Sequence, residues 1–86
     1  MLRLMIVDDE QIIREALSSM IDYNSLGYEV IATAKNGMEA YDRIRDDYPD
    51  VVITDIKMPI LNGLELIERA SRIDSRITFI LLSGYG

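Results

Sequence analysis

Cysteine and histidine are both missing from the 86 residues. Without cysteine the chain forms no disulfide, offers no thiol nucleophile and builds no thiolate metal site. Without histidine it has no imidazole base, no Ser-His pair and no conventional zinc site. Long apolar runs are missing as well. The longest, Ile77–Leu82, falls far short of the roughly 20 residues that a membrane helix needs. The apolar opening Met1–Val7 is broken by Arg3 and followed at once by Asp8, Asp9 and Glu10, which is not the pattern of a secretory signal. A soluble chain in the cytoplasm, without membrane contact, is the expectation. Positive charge is scarce: nine Lys+Arg against fifteen Asp+Glu leave a net charge of −6. Phosphate backbones require a basic face, so direct contact with nucleic acid is not expected.

What is present is an ordinary globular mixture, 49% hydrophobic and 28% charged, of a length that suits one domain. No linker, repeat or low-complexity segment divides it. Short apolar runs alternate with amphipathic stretches. Leu2–Val7 reads as a strand that ends in acid. From Glu10, apolar residues at Ile12, Ile13, Ala16, Leu17, Met20 and Ile21 mark one face of a helix that Asp8 or Asp9 can cap. After a break at residues 24–27, Tyr28–Ala34 reads as a second strand. Asn36-Gly37 then opens a helix with Met38, Tyr41 and Ile44 on one side, stopping before Pro49. Val51–Thr54 is a third strand with Asp55 at its end, and Met58-Pro59 and Asn62-Gly63 mark a loop. Leu64, Ile67, Ala70 and Ile73 predict a third helix, Ile77–Leu82 a fourth strand, and Ser83-Gly84 closes it. The order βαβαβαβ predicts an α/β fold, a doubly wound parallel sheet with its site at the carboxyl ends of the strands.

The residues just past those ends are Asp8, Asp9, Asp55 and Ser83. If the first and third strands are neighbours, as in the order 2-1-3-4, their tips lie about 5 Å apart and three carboxylates converge. At 4 Å and an effective dielectric near 20, each like-charged pair costs about 4 kcal/mol, too much for a small domain to carry uncompensated. Either one carboxyl stays protonated or a divalent cation sits among them. Oxygen-only donors suit Mg²⁺. A carboxylate beside Mg²⁺ at a strand tip can act as a nucleophile toward a phosphoryl group. Asp55 would then become an acyl phosphate to which Ser83 donates a hydrogen bond. Any one of these residues alone reads as a helix cap or turn residue; two acid-tipped strands and a hydroxyl-tipped third favour the phosphoacceptor.

The segments Ile6-Val7-Asp8-Asp9-Glu10, Val52–Pro59 with Asp55, Asn62-Gly63-Leu64 and Leu82-Ser83-Gly84 together resemble the receiver domain of two-component response regulators, in order and spacing across the whole chain. The resemblance implies a flavodoxin-like sheet of order 2-1-3-4. It implies that Asp55 receives phosphate from a sensor histidine kinase. Asp9 becomes the direct Mg²⁺ ligand, Asp8 its companion through water, and the backbone carbonyl of Lys57 a further ligand. Ser83 takes the place of the switch hydroxyl, and Gly84 leaves the phosphate site open. Such a domain is regulatory rather than an enzyme, promoting only its own phosphorylation and dephosphorylation.

Residues 1–86 would be the N-terminal part of that domain, ahead of a fourth helix, a fifth strand bearing the family's phosphate-pairing lysine, and a fifth helix. Leu4–Gln11 with Leu82–Tyr85 is similar in style to receivers joined to AraC-type DNA-binding output domains. The strand Ile77–Leu82, left as an unguarded apolar edge, is expected to join the chain into a homo-oligomer. Three other functions fit less well. An aspartate-nucleophile phosphohydrolase would carry Asp-x-Asp after one strand, a phosphate-independent interaction domain would have lost an acid or the hydroxyl, and a flavin-binding module would carry a Ser/Thr/Gly-rich loop after the first strand.

Overall fold

A computed structural model describes residues 1–82. Four strands and three α-helices follow in alternation: β1 (Leu2–Val7), α1 (Gln11–Ser19), a 3₁₀ turn (Asn24–Leu26), β2 (Tyr28–Ala34), α2 (Gly37–Asp47), β3 (Val51–Asp55), α3 (Gly63–Ile73) and β4 (Thr78–Leu82). All neighbouring strands are parallel, in the order β2-β1-β3-β4, as the family resemblance implies.

The central strands are apolar on both faces because both faces are covered. Met5, Val7 and Val52 point toward α2 and α3 and form the main core with Ala34, Ala40, Ile44, Met58, Leu61, Leu66 and Ala70. Leu4 and Ile6, the alternate residues of β1, are equally buried toward the opposite face. There Ile21, Tyr23, Leu26 and Ile80 line an apolar groove with Leu4 and Ile53.

Helices α2 and α3 begin alike. Asn36 and Asn62 are the N-caps, their side chains accepting the backbone N–H of Glu39 at 2.8 Å and of Glu65 at 2.9 Å. At Asn62 the Glu65 carboxylate also accepts the cap's own N–H, completing a capping box. Each cap is followed by a glycine, and each helix buries that glycine and the residues three and seven further on: Gly37, Ala40 and Ile44 in α2, Gly63, Leu66 and Ala70 in α3. The glycines are required by close approach. A Cβ on Gly37 would strike the backbone of Leu61, and one on Gly63 the carbonyl of Asp55.

This corrects the expected faces. Asn62-Gly63 opens α3 rather than lying in the loop. The buried stripe of α3 runs through Leu66 and not Leu64, which is 56% exposed, and Met38 of α2 likewise points outward. In α1 the departure is larger, since none of its residues is fully buried, Ile12 is 78% exposed and its C-cap Met20 is 81% exposed. Only Arg14, Ala16, Leu17 and Ser18 are half-buried. One helix on this side of the sheet covers β1 and leaves most of its own apolar face outside. Tyr23 donates its hydroxyl to the carbonyl of Leu17 at 2.6 Å near the end of α1.

The loop from β3 to α3 is tightly wound. Leu61 donates its N–H to the carbonyl of Pro59 at 2.8 Å, which closes a γ-turn around Ile60 at φ 71°. This hand of γ-turn is rare, and a β-branched residue in it costs about 1–3 kcal/mol. The turn leaves Ile60 81% exposed and drives Leu61 into the core, where it is 2% exposed.

Candidate functional site

Register brings the acids together. Val7 of β1 pairs with Thr54 of β3, so Asp8 and Asp55 are the next residue on each of two adjacent strands and leave the sheet at the same edge. Beyond Val7 the ladder continues one step, with Asp8 donating its N–H to the carbonyl of Ala34 at 3.1 Å. On the far side, Ile56 donates to the carbonyl of Leu82 at 3.4 Å.

Asp8 is only 4% exposed. Its carboxylate accepts the backbone N–H of Glu10 at 2.9 Å, a local turn that holds it at the strand tip. It therefore does not cap α1 as expected, and neither does Asp9. The N-cap is Glu10, with no side-chain bond to the first turn. Carboxylate oxygens of Asp8, Asp9 and Glu10 all lie within 4.8 Å of one another. Asp55, half-buried, stands outside that tight group, yet its charge acts on Asp8. Burial pushes the Asp8 carboxyl above its ordinary range; the Glu10 N–H works against this, and the charges of Asp55, Asp9 and Glu10 add to the rise.

Glu10 was not among the residues expected in the cluster. Its place directly after Asp8-Asp9 was the available signal. Lys57 is exposed in the loop after β3, and none of the four acids is ion-paired with it or any other cation among the described residues. Ser83 and Gly84, the expected switch hydroxyl and its neighbour, lie outside the described residues.

The family model for the response regulator receiver domain matches residues 4–86. The chain belongs to that family. Among curated relatives, the uncharacterized transcriptional regulatory protein YesN of Bacillus subtilis is 44% identical over 86 residues, covering 100% of this chain and 23% of the relative. Among solved structures, the REC domain of AraT, a response regulator from Geobacillus stearothermophilus, superposes with a TM-score of 0.92 at 37% identity, over 98% of this chain and 65% of that one. A two component transcriptional regulator AraC from Clostridium phytofermentans gives 0.91 at 32% identity, over 100% of this chain and 69% of that one. This receiver sequence thus spans about a quarter of the relative's length and about two thirds of the solved chains.

The donor set of the receiver site suits a hard cation. Its side chains are carboxylates, and none of them is ion-paired with a cation among the described residues. No helix among the described residues is long and apolar enough to cross a membrane.

With its carboxyl raised above the unfolded value, Asp8 contributes stability while protonated and loses it as pH rises through the folded value. Asp8→Asn keeps an acceptor for Glu10 and removes the charge. It is expected to raise the Tm by a few degrees at neutral pH without Mg²⁺, with the gain fading toward pH about 4 and smaller at saturating Mg²⁺. A lower Tm for the variant in metal-free buffer at neutral pH would contradict the repulsion.

Proposed function

We propose that this receiver is the phosphoacceptor of a two-component system, with Asp55 taking a phosphoryl group from a sensor histidine kinase. The observation that supports this most is the pairing of Val7 with Thr54, which sets the buried Asp8 beside an Asp55 whose carboxylate accepts no hydrogen bond among the described residues.

The Asp8-Asp9 pair, Asp55 and the backbone carbonyl of Lys57 are the residues that would hold Mg²⁺. That ion would offset the charge of the phosphoryl oxygens as transfer proceeds. A carboxylate oxygen of Asp55 attacks phosphorus as the P–N bond to the kinase imidazole breaks. An acyl phosphate forms on Asp55, and the imidazole keeps the electron pair of the broken bond. Asp8, held by the Glu10 N–H, would reach the ion through water, while Asp9, exposed beside it, would be the direct ligand. Ser83 is assigned the switch hydroxyl that moves toward the phosphate. The chemistry is regulatory, with no turnover of an outside substrate beyond uptake and loss of the phosphoryl group.

Residues 1–86 are, in this reading, the N-terminal part of a receiver within a cytoplasmic transcriptional regulator. YesN is named a transcriptional regulatory protein, which favours a transcriptional output, and the Clostridium protein's name favours one of AraC type; this acidic segment would control that output without touching DNA itself. Produced alone, the 86-residue chain presents β4 as a sheet edge on which Ile80 and Leu81 are exposed, and we infer that it self-associates there. Sedimentation at micromolar concentration is expected to show a dimer or larger species, and a folded monomer would contradict this.

The phosphoacceptor is tested with beryllofluoride, which mimics an acyl phosphate. Mg²⁺-dependent uptake is expected in the wild type, loss in Asp55→Asn, and a weakened metal requirement curve in Asp9→Ala. Equal uptake by wild type and Asp55→Asn would place the acceptor elsewhere.

A further inference from the structure

Three separate bonds hold Asp8, and one of them comes from a side chain of α1. The Asp8 N–H is taken by Ala34 and its carboxylate by the Glu10 N–H. Its carbonyl accepts from the guanidinium of Arg14 at 2.7 Å. Arg14 lies on the first turns of α1, half-buried. Its own N–H donates to the carbonyl of Glu10 at 3.0 Å and its carbonyl accepts from the Ser18 hydroxyl at 2.7 Å. A single residue thus ties the Asp8–Glu10 turn to α1, which has no side-chain cap to do so.

The choice of acceptor matters. Arg14 stands among acids yet forms an ion pair with none of them within the described residues. A guanidinium on the carboxylates would compete with a cation for the same oxygens. Bound to the main chain, it fixes the peptide between Asp8 and Asp9 and leaves the oxygens free.

We propose that Arg14 is a positioning residue for the cation site, holding the Asp8-Asp9 turn in its ligating shape. This rests on the assignment of a divalent cation to Asp8 and Asp9. Positioning and bare charge have opposite signs here. Removing a nearby positive charge by itself would tighten binding of Mg²⁺, whereas releasing the turn weakens it, as loss of a residue that orients metal ligands does.

The experiment compares wild type, Arg14→Gln and Arg14→Lys by Mg²⁺ titration and by amide hydrogen exchange in metal-free buffer. Arg14→Gln is expected to weaken Mg²⁺ binding about tenfold and to speed exchange at the Glu10 amide, which the Asp8 carboxylate holds. Exchange at Met5, in the core of β1, should stay slow in all three proteins, showing that the fold persists. Arg14→Lys, which keeps charge and a donor, should recover part of both effects. Unchanged exchange at Glu10, or Mg²⁺ affinity in Arg14→Gln equal to or tighter than wild type, overturns the proposal. Faster exchange at Glu10 together with a wild type that binds no Mg²⁺ supports the positioning role and refutes the cation assignment instead.

Discussion

The parallel pairing of β1 with β3 is the constraint on which the rest depends. Its register sets Val7 against Thr54, and the strands end together, so the next residues must share one small region at the sheet's edge. Both are aspartates. The fold therefore places like charges side by side at the one location where strand ends offer few compensating groups. Burial of Asp8 makes this costlier, and the Glu10 N–H returns only part of the loss. This concentration of acid, which no ion pair offsets among the described residues, is the feature on which the proposed cation and phosphoryl chemistry rests.

The same edge is held by close backbone packing. Gly63 approaches the Asp55 carbonyl so closely that no side chain fits, and its N–H donates to the carbonyl of Ile56 at 2.9 Å. Gly37 meets Leu61 in the same way. Leu61 reaches that position through the strained turn at Ile60. The loop after the candidate phosphoacceptor is thus clamped between the ends of α2 and β3, and strain at one exposed residue secures the burial of its neighbour. Asp55 is supported from behind by backbone contacts, and its carboxylate accepts no hydrogen bond among the described residues.

Much of this was legible in the sequence. Strand positions followed from β-branched and apolar runs, which both-sided burial makes almost continuous, and the acids at their ends pointed to the sheet edge. The strand order was not in the residues themselves and came from the family resemblance. Helix faces were harder. In α3, Leu64, Leu66, Ile67 and Ala70 allow two apolar stripes, and the choice is made by Gly63, which can face only the Asp55 backbone. The repeated Asn-Gly-x-Glu at residues 36–39 and 62–65 carried that information through its cap. In α1 the apolar spacing was genuine, yet the sheet offers it too little surface to bury it. The role of Asp8 in a local turn, the inclusion of Glu10 and the reach of Arg14 back to a carbonyl six residues earlier depend on side-chain directions that spacing alone does not specify.

The central claim is that paired strand ends make Asp55 a cation-dependent phosphoacceptor. The most direct measurement is to treat the chain with a small-molecule phosphoryl donor, reduce the product with tritiated borohydride, and map the label by peptide sequencing. Acyl phosphates are reduced where free carboxylates are not. The account predicts label at Asp55 alone, and only when Mg²⁺ is present. Label at Asp8, Asp9 or Glu10, or the same label at Asp55 in a chelating buffer, would contradict it.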